Sequence, residues 1–235
     1  MVVTVAPEGT AATNGAAIEL ARHWRPGIDV RGTLFRGPAS QALAALSDSA
    51  HALVVGSRGR GPVRSALLGS VSASVSGRAA CPVVVCRPGS VGRVQQGILV
   101  AADGTPESLP SIDFAFRQAS LRDVPLTVAG DLPGAGPSVL ALAAAESAAG
   151  FRELFPEVRV SVEPDRSFAD EARGAASARW TMVVVGRRTA GNGRGGRATD
   201  VLEHARTLVA VVPTATDQPP AIRGTKDPSL AAPLP

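Results

Sequence analysis

The chain has 235 residues, of which 45% are hydrophobic and 19% charged, the balance of a globular protein with room for one large or two small cores. No apolar run approaches the ~20 residues needed to span a bilayer, and no basic segment followed by an apolar stretch opens the chain, so the expected compartment is the cytoplasm. The net charge is +4, but aromatics are only 3% and the arginines are scattered, which argues against a nucleic-acid surface.

In chain order, Val2–Ala6 reads as a buried strand, and a helix follows from about Asn14 to Trp24. A strand over Asp29–Leu34, a helix over Ala39–Ser47 and a strand over Ala52–Val55 come next. A glycine-rich stretch then leads to a helix over Ser70–Arg78 and a strand over Val83–Cys86. Beyond residues 90–96 the pattern starts again, with a strand over Gly97–Ala102. Thr105-Pro106-Glu107 is a helix start, and this helix is expected to run to about Ser120. The remaining elements are a strand at Leu126–Ala129, an alanine-rich helix from Val139 to about Phe155 with a break at Gly150, and a strand at Val158–Val162. A helix at Phe168–Arg179, a strand at Thr181–Val185, a helix near Ala198–Arg206 and a strand at Leu208–Val212 complete the series. Residues 215–235, with five prolines, read as a disordered tail.

The series is an internal repeat. Leu20–Val30 has the pattern of Gly150–Val160, and the same offset of 130 puts Leu53–Gly56 on Val183–Gly186. The expected organisation is therefore a first domain at 1–89, a linker at 90–96 and a second domain at 97–214. Alternation of strands and helices implies α/β domains with parallel sheets covered on both faces. Val2–Ala6 matches Pro125–Ala129, the second strand of the later copy, so the first copy lacks a first strand and helix. That leaves Val2–Ala6 and Ala52–Val55 without a common neighbour, and it implies a natural domain that begins upstream of Met1.

The chemistry is concentrated in Val55-Gly56-Ser57-Arg58-Gly59, running on to Gly69-Ser70-Val71-Ser72. A buried strand ends in glycines that allow close backbone approach, and the loop opens into a helix. The first N–H groups of that helix have no intrahelical partner and, with the helix dipole, form a site for phosphate. The hydroxyls of Ser70 and Ser72 and the charge of Arg58 add to it. The spacing is neither a P-loop nor a dinucleotide fingerprint. In the second copy Gly186-Arg187-Arg188 is followed by Thr189, so its loop is degenerate; Arg187-Arg188 reads as a solvated loop in preference to an anion site. Residues 191–197 read as a mobile arginine–glycine loop.

Glycine, two residues, glycine, nine residues, glycine and then serine resembles the universal stress protein signature, at Gly56, Gly59, Gly69 and Ser70. Cys81-Pro82-Val83-Val84-Val85 continues the resemblance. The resemblance implies an adenine nucleotide α-hydrolase-like, Rossmann-like fold with strand order 3-2-1-4-5. It also implies binding of ATP, with or without Mg, by Val55, Gly56, Arg58, Gly59, Gly69, Ser70, Val71 and Ser72. The valine of the second strand corresponds to Val5 and Val128, and the aspartate after the first strand to Asp103, positions that contact the nucleoside in the family. Family members pair their final strands across a dimer; here that means a homodimer, or an internal pairing of Val83–Cys86 with Leu208–Val212.

The expected role is an ATP-binding stress or regulatory protein, not an enzyme beyond slow ATP hydrolysis. The alternative is a scaffold that binds no nucleotide and acts through dimerisation and partners. No catalytic group and no metal site stand out. His23, His51 and His204 fit surface or helix-end positions, and Cys81 and Cys86 fit core positions. Trp24 and Trp180 are expected to pack against the sheets.

Overall fold

The computed structural model describes residues 2–6, 14–57, 68–87, 96–130, 136–163, 167–187 and 197–214. Its strands are β1 (Val2–Ala6), β2 (Gly32–Arg36), β3 (Leu53–Gly56), β4 (Val83–Cys86), β5 (Ile98–Ala102), β6 (Leu126–Gly130), β7 (Val160–Glu163), β8 (Met182–Arg187) and β9 (Leu208–Pro213). Its helices are α1 (Gly15–Trp24), α2 (Ala39–Leu46), α3 (Ser70–Arg78), α4 (Leu109–Arg122), α5 (Pro137–Leu154), α6 (Phe168–Glu171), α7 (Gly174–Ser177) and α8 (Arg197–His204). Residues 88–95, which include most of the linker expected at 90–96, and the tail at 215–235 lie outside the described residues, as does most of the arginine–glycine loop.

The second copy forms the complete unit. Its strands lie in the order β7-β6-β5-β8-β9, all parallel, which is the 3-2-1-4-5 order. β5 and β6 are buried along their whole length, as befits strands covered on both faces. One face carries α4 and α5 over Ile98, Val100, Leu126, Val128, Val184 and Ala210. The other face buries Leu99, Ala101, Val183, Val185, Val209 and Val211 with Phe168, Trp180, Val201 and Leu202.

Two predicted helices differ from the reading above. α5 runs unbroken through Gly150, where a Cβ would meet nothing within 4 Å. An isolated helical glycine costs only ~1 kcal/mol, too little to break a helix held by its alanine face. Conversely, the single helix expected over Phe168–Arg179 is two short ones. Arg173 is extended (φ −114°, ψ 157°) and Gly174, which opens α7, takes φ +50°, a sequence of conformations that an α-helix cannot continue through. The split puts Glu171 and Arg179 together: Arg179 Nη2 donates to both Glu171 oxygens (2.9 and 2.7 Å) and Trp180 Nε1 to one (3.3 Å). Trp180 is thus buried with its N–H satisfied. Trp24, by contrast, is 75% exposed and touches His23 edge-on rather than a sheet.

The first copy is divided. β1 and β2 form a separate two-stranded parallel sheet. β3 and β4, also parallel to each other, join the second copy's sheet instead. The junction is antiparallel, with Val83, Val84 and Val85 of β4 opposite Val211, Ala210 and Val209 of β9. Two arginines cross this seam in reciprocal fashion. Arg187 Nη1 donates to the Ala79 carbonyl (2.5 Å), and Arg87 donates to the Leu202 carbonyl. Each charged donor meets carbonyls left over at a helix C-terminus, where a cation is favoured.

Cys81 and Cys86 flank this seam as free thiols, Cys81 buried and Cys86 half-buried. Burial pushes both thiols above the usual cysteine range. A raised pKa leaves less thiolate at any given pH below it, and thiolate is the reacting species. Alkylation by iodoacetamide at pH 8 is therefore expected to be roughly tenfold or more slower in the native chain than in urea. Equal rates in the two states would show that the thiols are not shielded.

Candidate functional site

The described start of the glycine-rich segment, Gly56 and Ser57, lies at the carboxyl end of β3. Val55 and Gly56 pair with Val85 and Cys86. The ladder continues one residue further, because Ser57 N–H donates to the Cys86 carbonyl (2.8 Å). Ser57 is buried, and its own carbonyl accepts from Gly69 N–H (2.9 Å). The intervening residues 58–67, including Arg58 and Gly59, lie outside the described residues. That hydrogen bond ties Ser57, at the end of β3, to Gly69, at the start of α3.

Gly69 is extended (φ −63°, ψ 142°) and caps α3. The first helical bond runs from Ala73 N–H to the Gly69 carbonyl (3.0 Å). The N–H groups of Ser70, Val71 and Ser72 precede that bond and have no acceptor within the helix, the property that suits a helix start to anions. Ser70 and Val71 are exposed, whereas Ser72 is buried. Ser72 Oγ donates back to the Gly69 carbonyl (3.2 Å), so its hydroxyl proton is turned inward. Ser70 is the hydroxyl that faces outward. α3 is anchored from below by Val75 and Ala79 in the core, and Ala80 N–H is held by Ser47 Oγ (2.8 Å) at the end of α2.

The other expected contacts are dispersed. Val5 stands in β1, opposite Phe35, in the sheet that does not include β3. Asp103 follows β5 and is 8% exposed. Its Oδ1 accepts from Thr105 N–H (3.0 Å) and Thr105 Oγ1 (2.6 Å), an Asx turn that carries the chain into α4. Val128 lies in the middle of β6, fully buried between Val100 and Val162, within the core beneath α4 and α5. The structure therefore brings together Val55, Gly56, Gly69, Ser70, Val71 and Ser72, and leaves Val5, Asp103 and Val128 elsewhere. Sequence reasoning missed Ser57, whose N–H and carbonyl bond to Cys86 and Gly69; a serine between Gly56 and Arg58 carries no signal for that role.

The second copy's counterpart at Gly186 is different. Arg187 is drawn across the seam to Ala79, so its guanidinium serves the contact between copies. A Cβ on Gly186 would lie 3.8 Å from both Ser111 and Thr214, in ordinary van der Waals contact with those two side chains. Among the described residues, no group of three or more His, Cys, Asp or Glu is placed to hold a metal ion, and no helix is long and apolar enough to cross a membrane.

The universal stress protein family model matches residues 3–87, the whole span from β1 through the glycine loop to β4. A universal stress protein of Mycobacterium tuberculosis is 34% identical over 186 residues, covering 72% of this chain and 61% of that protein. This chain belongs to the universal stress protein family. Another relative, from Mycolicibacterium smegmatis, is 32% identical over 203 residues, covering 78% of this chain and 66% of that protein. The chain thus spans about three fifths to two thirds of the length of these relatives. The fold agrees with a Pseudomonas aeruginosa structure described as a universal stress protein, with TM-score 0.63 and 19% identity over 92% of this chain and 84% of that one. An Archaeoglobus fulgidus universal stress protein gives TM-score 0.61 and 18% identity over 86% of this chain and 76% of that one.

Proposed function

We propose that this universal stress protein is an ATP-responsive regulator that binds the nucleotide, with or without Mg, through its first copy. The observation that carries this reading is the start of α3. Three successive N–H groups, at Ser70, Val71 and Ser72, lack helical acceptors beside the hydrogen bond that ties Gly69 to Ser57 at the carboxyl end of β3. Phosphate oxygens fit that geometry, and the positive end of the helix dipole favours their charge. Among the described residues near Ser70 no nucleophile–base pair stands out, and in this reading the nucleotide acts as a ligand whose hydrolysis is slow and incidental. The protein works in the cytoplasm, where ATP is abundant. The second copy has its Asp103 carboxylate engaged by Thr105 and its Arg187 guanidinium by the Ala79 carbonyl, so it contributes structure in preference to a second nucleotide.

Mg-ATP at a hundredfold excess over Kd stabilises a selective native state by about 2.7 kcal/mol, expected here as a rise of roughly 5–10 °C in melting temperature. Gly69→Val should abolish the rise. Its backbone φ is one that valine accepts, so the nucleotide-free variant should still fold, while the branched side chain blocks approach to the helix start. A rise of equal size in Gly69→Val would refute the assignment. Absence of any rise in the unaltered protein would favour the second reading, a scaffold without nucleotide. One observation speaks for that reading: β1, which carries Val5, is not hydrogen-bonded into the sheet that carries Gly56.

A further inference from the structure

α3, whose start carries the proposed site, is held at both ends from outside the helix. At its start, Gly69 N–H donates to the Ser57 carbonyl (2.9 Å). At its end, Ala80 N–H donates to Ser47 Oγ (2.8 Å), and the Ala79 carbonyl accepts from Arg187 Nη1 (2.5 Å). Ser57 and Ser47 belong to the first copy. Arg187 belongs to the second and lies 108 residues from Ala79 in sequence. Ala79 is the C-cap residue of α3, and the last bond along the helix runs from its N–H to the Val75 carbonyl (2.9 Å). The Ala79 carbonyl therefore needs a partner from elsewhere, and the negative end of the helix dipole favours a cation.

That arginine stands where the first copy begins its glycine-rich segment. The offset of 130 that sets Gly56 on Gly186 also sets Ser57 on Arg187. Arg187 stays in the sheet, opposite Pro213 of β9, and sends its guanidinium across the seam. Its base is rigid, because β9 pairs in turn with Val83–Val85 of β4. The helix it grips is short, with nine residues over about 13 Å, and Val75 and Ala79 share one core with Val185, Val201 and Leu202 of the second copy. A tilt at one end of so short a helix is carried to the other. The reciprocal arm serves a different helix, since Arg87 donates to the Leu202 carbonyl in the last turn of α8.

We propose, on the reading of the α3 start as a phosphate site, that Arg187 is a positioning residue for that site. The N–H groups of Ser70, Val71 and Ser72 serve one anion only when they are aimed at it together, because hydrogen bonds weaken steeply with misalignment. Arg187 fixes the far end of α3 and so fixes that aim. The second copy thereby sets the first copy's affinity for an anionic ligand through a contact at the opposite end of the helix. Withdrawal of Arg187 lowers the affinity, and by reciprocity a bound nucleotide strengthens the seam. The seam itself rests on the β4–β9 ladder and the shared core, so loss of one guanidinium leaves the chain folded.

The test uses the full chain and two readouts, hydrogen exchange at the α3 amides without nucleotide and the Kd of Mg-ATP by calorimetry. Arg187→Met keeps the aliphatic stem and drops every donor. It is expected to speed α3 exchange roughly tenfold and to weaken Mg-ATP roughly tenfold, with exchange in β5 and β6 unchanged. Arg187→Lys, which keeps a charged donor, should recover most of both effects. Arg87→Met should loosen α8 instead. Parental α3 exchange in Arg187→Met overturns the proposal. So does faster α3 exchange with an unchanged Kd, which makes the contact merely structural. An equal effect of Arg87→Met on α3 and on Kd also overturns it, because it assigns the change to general loosening of the seam. If the parent binds no Mg-ATP, the ATP reading fails separately, and α3 exchange alone decides whether Arg187 holds the helix.

Discussion

Gly97→Val is expected to lower stability by about 3–5 kcal/mol and the melting temperature by roughly 10 °C or more. Gly97 stands at φ +97°, outside the range of a β-branched residue. The space is also taken: a Cβ there would lie 2.0 Å from the Pro125 carbonyl oxygen and 2.9 Å from its carbon. That carbonyl cannot yield, because it accepts from Ile98 N–H (2.9 Å) and opens the β5–β6 ladder. The residue is pinned on its other side too. Its own carbonyl accepts from Thr181 N–H (2.8 Å), and Gln96 N–H donates to Arg179 (2.7 Å). Relief of the clash would thus pull β5 from both neighbours at the centre of the sheet. Thermal melts followed by circular dichroism decide the matter, with Gly150→Ala as the contrast. That helical site is open, and alanine there should add about 0.5–1 kcal/mol. A Gly97→Val melt within about 2 °C of the parent would refute the account.

Phe116→Ala is expected to cost about 3–5 kcal/mol in urea unfolding. Phe116 is fully buried on α4 and packs against Phe151 (centroids 5.5 Å apart, 26° between planes) and Phe155 (5.8 Å, 32°) at the end of α5. These three rings hold α4 against α5, and the Arg117 guanidinium covers Phe155 from outside at 5.8 Å. Truncation removes both the transfer free energy of the ring and its stacking, and the helices cannot close the void while β5 and β6 hold their positions. Because the rings share one cluster, Phe116→Ala combined with Phe151→Ala should cost less than the two single changes added together. Strict additivity would mean that the rings do not act as a unit.

Much of this molecule follows from local pattern. The offset between Leu53–Gly56 and Val183–Gly186 pointed to two copies, strand–helix alternation implied parallel sheets, and the family resemblance implied the strand order found in β7-β6-β5-β8-β9. The loop from Gly56 to Ser70 could be read as a strand end leading to a helix start, because glycine spacing and capping are short-range chemistry.

Tertiary structure decided what depends on neighbours distant in sequence. Gly150 reads as a breaker and Phe168–Arg179 as one helix until the sheet beneath and the left-handed Gly174 are seen. Trp24 reads as a core residue, but nothing in the described structure covers α1. Arg187 reads as a solvated loop cation, yet it reaches a carbonyl 108 residues earlier, across a seam that only the pairing of β4 with β9 creates. Val128 is a nucleoside-contact position by family resemblance, and the structure places it in the middle of β6, buried beneath α4 and α5. Propensity and spacing act over a turn or two of chain. Burial and partner choice depend on which edges and faces meet, and those meetings are made only when the two copies fold against each other.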